Sequence, residues 1–189
     1  MFKRIIKGDF GYITKKRNRV ILLTILYFAI SVAIIVTGYV TTGTKKNLLT
    51  VVGILGCLPA CKSAVSMIMF IRAKGCSAKT YDSINPLCDK LISMYDMYFT
   101  SYSKNFPISH MIVNNSVIIG FYEADKFDEK ECISHLDGIL KTSGYKNITI
   151  SLTNDIEKYK NMLISMNEKA NTSESKDDDI RISLYEVSL

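Results

Sequence analysis

The chain has 189 residues, a net charge of +6 and five cysteines, which is room for a membrane module and one small folded domain. Its basicity is uneven: Met1 to Arg19 carries a net +6, Val20 to Arg72 a net +4 and Ala73 to Leu189 a net −4. The positive charge therefore belongs to the first third, and the acidic remainder argues against nucleic acid as a partner.

Before the first apolar run, Phe2, Ile5, Ile6, Phe10 and Ile13 can share a helical face while Lys3, Arg4 and Lys7 meet anionic headgroups. Gly8 and Gly11 oppose a helix there, at about 1 kcal/mol each relative to Ala. A basic, loosely ordered cytoplasmic tail over residues 1–19 is the simpler expectation. Val20 to Val40 contains no charged residue, and a second apolar stretch runs from Leu48 to Ile71. About 20 apolar residues cross a hydrocarbon core of ~30 Å as an α-helix. These stretches predict transmembrane helices over 20–40 and 48–72, joined by a short external loop, 41–47. A cleaved signal peptide would have a shorter apolar region ending at a small-residue site. The first run instead ends in Gly-Tyr-Val-Thr-Thr, which suits an anchor. Basic residues concentrate before the first span and after the second (Arg72, Lys74, Lys79), with Lys45 and Lys46 between the spans. The positive-inside rule then puts both termini in the cytoplasm.

The second span holds Lys62, three residues after Pro59. An ammonium in a span costs ~3 kcal/mol even on lenient insertion scales. Two readings follow: a specific partner, either a carbonyl freed by Pro59 or an acid on another protein, or snorkelling toward Arg72, about 15 Å away along the helix. Gly53, Cys57 and Cys61 recur at i, i+4, i+8, with Ala60 and Ala64 beside them. Small residues at this spacing allow close helix approach, either to the first span or to a second copy of the chain. A metal site at Cys57 and Cys61 would need further ligands, and the spans contain no histidine. The cysteines read as reduced thiols that pack.

The remainder predicts a small cytoplasmic α/β (α+β) domain over residues 76–168, in the order αβββαβα with a further strand after it. Asn85-Pro86 suits the start of a helix whose face is Leu87, Cys88, Leu91, Ile92 and Tyr95. Strands are expected at 97–102, 108–113 and 117–122, the last two joined by a tight turn at Asn114-Asn115. Asp128 with Glu131 forms a capping box before Ile133, Leu136, Ile139 and Leu140, and Gly144 stops that helix. Ile148 to Leu152 alternates as a strand, and Asn154 with Glu157 starts another helix. Residues 169–179 read as an acidic flexible linker ending in Asp177, Asp178 and Asp179. Ile180, Ile182 and Leu184 then alternate as a C-terminal strand over 180–189, which either closes the domain's sheet or adds to a partner's edge.

The order αβββαβ, with His110-Met-Ile-Val-Asn-Asn-Ser-Val-Ile-Ile-Gly-Phe-Tyr-Glu-Ala, resembles the core of nuclease-related, restriction-endonuclease-like domains over roughly residues 80–153. Those families place an acid at the start of the second core strand and Glu-x-Lys on the third, to hold a divalent metal and position water. Here Ser109-His110 stands at the first position, and Glu123 is followed two residues on by Asp125. The resemblance implies a fold. His110 and His135 lie in no ligand or triad pattern, and Tyr95, Tyr98, Phe99 and Tyr102 read as packing residues.

The expected protein is thus non-catalytic and anchored in the cell membrane, needs no cofactor, and presents a protein-binding or regulatory domain. Its partners are the bilayer and a membrane or cytoplasmic protein, or a second copy through the second span. Alternatives are a divergent membrane-bound hydrolase using Glu123 and Asp125, and a small subunit of a transport complex in which Lys62 pairs with an acid.

Overall fold

The computed structural model describes residues 6–44, 47–102, 104–168 and 174–189. The chain forms two compact units: a helical pair, Ile13–Ala73, and an α/β unit joining the residues before Ile13 to Lys74–Leu189. The helices of the pair are α1 (Tyr12–Thr42) and α2 (Leu48–Arg72). At 1.5 Å per residue they are ~46 Å and ~37 Å long, and both are apolar enough to cross a membrane. Asn47 organises the turn between them. Its Oδ1 accepts from the Thr50 N–H at 2.7 Å as the N-cap of α2, and its Nδ2 donates to the Gly38 carbonyl at 2.9 Å. Helix α1 starts eight residues before the uncharged run, so Lys15, Lys16, Arg17 and Arg19 are helical rather than part of a loose tail. Lys45 and Lys46 of the expected loop, and Phe2, Lys3, Arg4 and Ile5, lie outside the described residues.

In the α/β unit, α3 (Ala78–Ile84) is capped by Ser77 and runs into a 3-10 turn, Asn85–Leu87. Four strands follow in space in chain order: β1 (Ser93–Thr100), β2 (Asn105–Asn114), β3 (Val117–Phe121) and β4 (Thr149–Thr153). The first three form an antiparallel meander, and β4 pairs parallel to β3. Helix α4 (Glu129–Thr142) makes the crossover between them, and α5 (Ile156–Glu168) and α6 (Glu174–Val187) close the chain. One sheet face buries Met94, Phe99, Phe106, Met111 and Ile118 with Leu136 and Leu140 of α4 and Ile180 and Leu184 of α6. The other buries Ile112, Ile119 and Phe121 with Ile84, Tyr159 and Leu163, so α3 and α5 cover it.

The general α+β layout agrees with expectation, and four local assignments are corrected. No α-helix occupies the expected range Asn85 through Met94: the helix there, α3, ends at Ile84, only the 3-10 turn Asn85–Leu87 follows it, and β1 starts at Ser93. The turn between β2 and β3 is Asn115-Ser116, both in the left-handed region (φ 50° and 61°) that a two-residue hairpin turn requires. The cap of α5 is Asp155, whose Oδ1 accepts from the N–H groups of Glu157 and Lys158, rather than Asn154. The C-terminal strand is a helix. Asp177, Ile180, Arg181 and Leu184 are buried while Ile182 is exposed, a spacing that fits a helix and not a strand. Residues 174–179 of the expected linker belong to that helix, and 169–173 lie outside the described residues. The Asp128 cap is as expected, accepting from the Glu131 N–H. The far end of α4 is closed at Gly144 (φ 90°) by Gly144 N–H to Lys141 and Tyr145 N–H to Leu140.

Both chain flanks meet on the free edge of β1. The Tyr95 N–H donates to the Gly8 carbonyl at 2.8 Å, and Leu189 N–H donates to the Tyr98 carbonyl at 2.9 Å. Lys7 Nζ donates to the carbonyls of Tyr185 and Ser188, filling acceptors that the end of α6 leaves open. An edge that would otherwise recruit foreign strands is thereby covered from within.

Candidate functional site

Within the helical pair the two faces of α2 differ in kind. Gly53, Gly56, Ala60 and Ser63 share one face. Gly53 packs against the Ser31 carbonyl and Ile35, and a Cβ on Gly56 would stand 2.9 Å from the Ser31 hydroxyl. A polar bond crosses the contact, Thr24 Oγ1 to Ser63 Oγ at 2.7 Å. The large apolar side chains point elsewhere: Leu22, Ile25, Leu26, Ile54, Leu55, Leu58 and Val65 are all at least half exposed. Of the residues singled out from sequence, Gly53 is buried, Cys57 is half-buried with its thiol toward the Gly53 carbonyl, and Cys61, Pro59 and Lys62 are exposed. Lys62 thus lies on the outer surface of α2, where its own carbonyl accepts from Ser66 Oγ.

In the α/β unit, two carboxylates converge on the connector before α3. Asp96 sits in β1 with φ 56° and is buried; its Oδ1 accepts from the Cys76 N–H at 2.7 Å. Gly75 lies against the same carboxylate, so that a Cβ there would meet Oδ1 at 2.8 Å. Just beyond β3, Glu123 Oε1 accepts from the Ser77 hydroxyl at 3.0 Å and the Ser77 N–H at 3.3 Å. Burial first, and then these two carboxylates, push the Cys76 thiol up to about 12, so it stays protonated and weakly nucleophilic at neutral pH. The arrangement holds a polypeptide turn in place.

A row of rings crosses the α3–α5 face of the sheet. Phe10 stacks on Tyr81 at 4.1 Å, Tyr81 lies 5.1 Å from Tyr95, and Tyr95 lies 4.5 Å from His110. His110 Nδ1 bonds the Tyr159 hydroxyl at 2.7 Å, and both side chains are fully buried. His110 Nε2 has no hydrogen-bond partner among the described residues. Burial lowers the imidazole to about 3, which keeps it neutral, and raises the Tyr159 phenol well above its usual value. The sequence places Tyr159 on the apolar face of a helix with Ile156, Leu163 and Met166 but gives it no site role, and it does not single out Asp96. The signal available for Asp96 was one acid inside the otherwise apolar run Ser93-Met-Tyr-Asp-Met-Tyr-Phe.

At the head of α4, a cleft of about 580 Å³ is lined by Lys104, Asp125, Lys126, Phe127, Asp128, Glu129 and Lys130. Lys104 bridges Asp128 at 2.9 Å and Glu131 at 2.6 Å, and the Lys104 ammonium lowers the Asp128 carboxyl. Asp125 faces this cleft, whereas Glu123 is bonded to Ser77. Among the described residues, no three His, Cys, Asp or Glu side chains stand together as metal ligands. Comparison of the chain with protein-family models, curated proteins and solved structures finds no match.

Proposed function

We propose that this protein is an integral membrane anchor whose two-span hairpin displays the α/β unit in the cytoplasm as a protein-binding module. The carrying observation is the inverted packing of the helical pair. A helix pair in water turns its large apolar residues inward, yet here small and hydroxyl residues meet between the helices and Leu, Ile and Val face out. Only 17% of the most apolar stretch of α1 and 11% of that of α2 is buried. Water does not tolerate that much contiguous apolar surface, and lipid does. Connectivity adds support, because residues on both sides of the hairpin build one α/β unit. This supports a hairpin with both ends on one side of the membrane, and the basic flanks favour the cytoplasmic side. Tethering raises the local concentration of the unit, so that weak contacts with a partner suffice.

Alkaline carbonate extraction and cysteine labelling on a cysteine-free background test this reading. The chain should stay with the membrane, with Thr44→Cys labelled from outside intact cells and Lys146→Cys only after lysis. Release by carbonate, or the reverse labelling, would refute it. A nuclease-related hydrolase would instead depend on Glu123 and Asp125, and would require Glu123 to leave Ser77. Loss of cellular function in Glu123→Gln/Asp125→Asn, with the fold retained, would favour that alternative.

A further inference from the structure

We propose that the outer face of α2 around Lys62 is a docking surface for a membrane span bearing a carboxylate. This inference rests on the membrane reading above. Leu55, Leu58, Pro59 and Val65 frame Lys62 on a stripe of α2 turned away from α1. Lys62 lies fourteen residues from Leu48 and ten from Arg72, so ~21 Å and ~15 Å from the ends of α2, near the middle of a ~30 Å core. Snorkelling does not resolve its position. Helical side chains lean toward the helix N-terminus, which for Lys62 is the farther end, and about 6 Å of stem covers less than half the distance to Arg72. No aspartate or glutamate occurs between Val20 and Arg72, so neither the hairpin nor a second copy's hairpin can supply the counter-charge. Two copies meeting on this face would oppose two ammonium groups. The small-residue face is already spent within the chain, Gly53 and Gly56 being packed against α1. A partner helix with one mid-span carboxylate matches both the charge and the apolar frame, and Pro59 adds an acceptor by depriving the Leu55 carbonyl of its helical donor.

The test reconstitutes the full chain in phosphatidylcholine vesicles with a labelled leucine-alanine span of about 21 residues carrying one central glutamate. A span with leucine in place of the glutamate is the control. Energy transfer should show the glutamate span bound about tenfold more tightly than the control. Lys62→Met should abolish that preference and Lys62→Arg should keep it, with carbonate resistance the same in all three chains. Equal binding of both spans by the wild-type chain, or a preference that survives Lys62→Met, would overturn the proposal. If the wild-type chain is itself stripped by carbonate, the membrane reading fails first; if it stays inserted without preference, only the Lys62 pairing falls.

Discussion

His110 shows how one residue can be placed by sequence and explained only by contacts. Its neighbours make it part of an apolar strand, but its partner Tyr159 lies forty-nine residues on, in helix α5. Because folding lowers this imidazole from 6.5 to about 3, the unfolded chain binds the proton more readily between those values. The stabilising contribution is complete above pH 6.5 and is lost as pH falls toward 3. From pH 7 to pH 4 that loss is about 3 kcal/mol. Denaturant unfolding of the full chain in detergent should therefore weaken with acid, and His110→Phe should flatten the dependence over that window. An unchanged slope in the variant would mean that other groups carry the titration. Tyr159→Phe should cost about 1–3 kcal/mol at pH 7, since it leaves His110 Nδ1 without its partner as well.

At the scale of elements, residue spacing misled where two periods coincide. Ile180 and Leu184 are four apart, which suits both a strand and a helix, and Ile182 made the alternation look complete. Its exposure shows that it belongs to neither core. The start of β1 was hidden for a related reason. Asp96, with φ 56°, breaks the ladder opposite Ser109, and the core-facing residues shift phase from Met94 to Met97 and Phe99. That broken alternation resembled a helical stripe through Leu91 and Tyr95. The hairpin offers a direct check at this scale. Thr24→Cys/Ser63→Cys on a cysteine-free background should oxidise readily to an intramolecular disulfide, since the native hydroxyls are 2.7 Å apart. Adding Gly53→Leu should sharply reduce the yield, because its side chain has only Ile35 and the Ser31 backbone to enter. Equal yields would refute the close approach at Gly53.

At the scale of the whole molecule, the α/β unit is divided in sequence by the hairpin. Lys7, Gly8 and Phe10 precede α1, yet they cap α6, pair with β1 and stack on Tyr81. A soluble chain of residues 74–189 alone should expose the β1 edge, with fast hydrogen exchange at the Tyr95 amide and concentration-dependent association. Joining residues 6–12 to it through a flexible linker should restore protection and a monomer. Equal protection in both chains would show that the N-terminal residues add nothing to the edge.

Composition and periodicity alone determined the two long apolar helices, the βββαβα order that follows the first short helix of the α/β unit and the cap at Asp128, because each of these is written in contiguous residues. Tertiary structure decided what depends on distant partners. It decided which face of α2 is spent on α1, that Asp96 and Glu123 hold the turn before α3, that the last element is a helix, and that the residues before α1 complete the sheet edge. Those contacts join positions between 20 and more than 170 residues apart, and no local pattern encodes which distant group will satisfy a buried carboxylate, a helix end or an open strand.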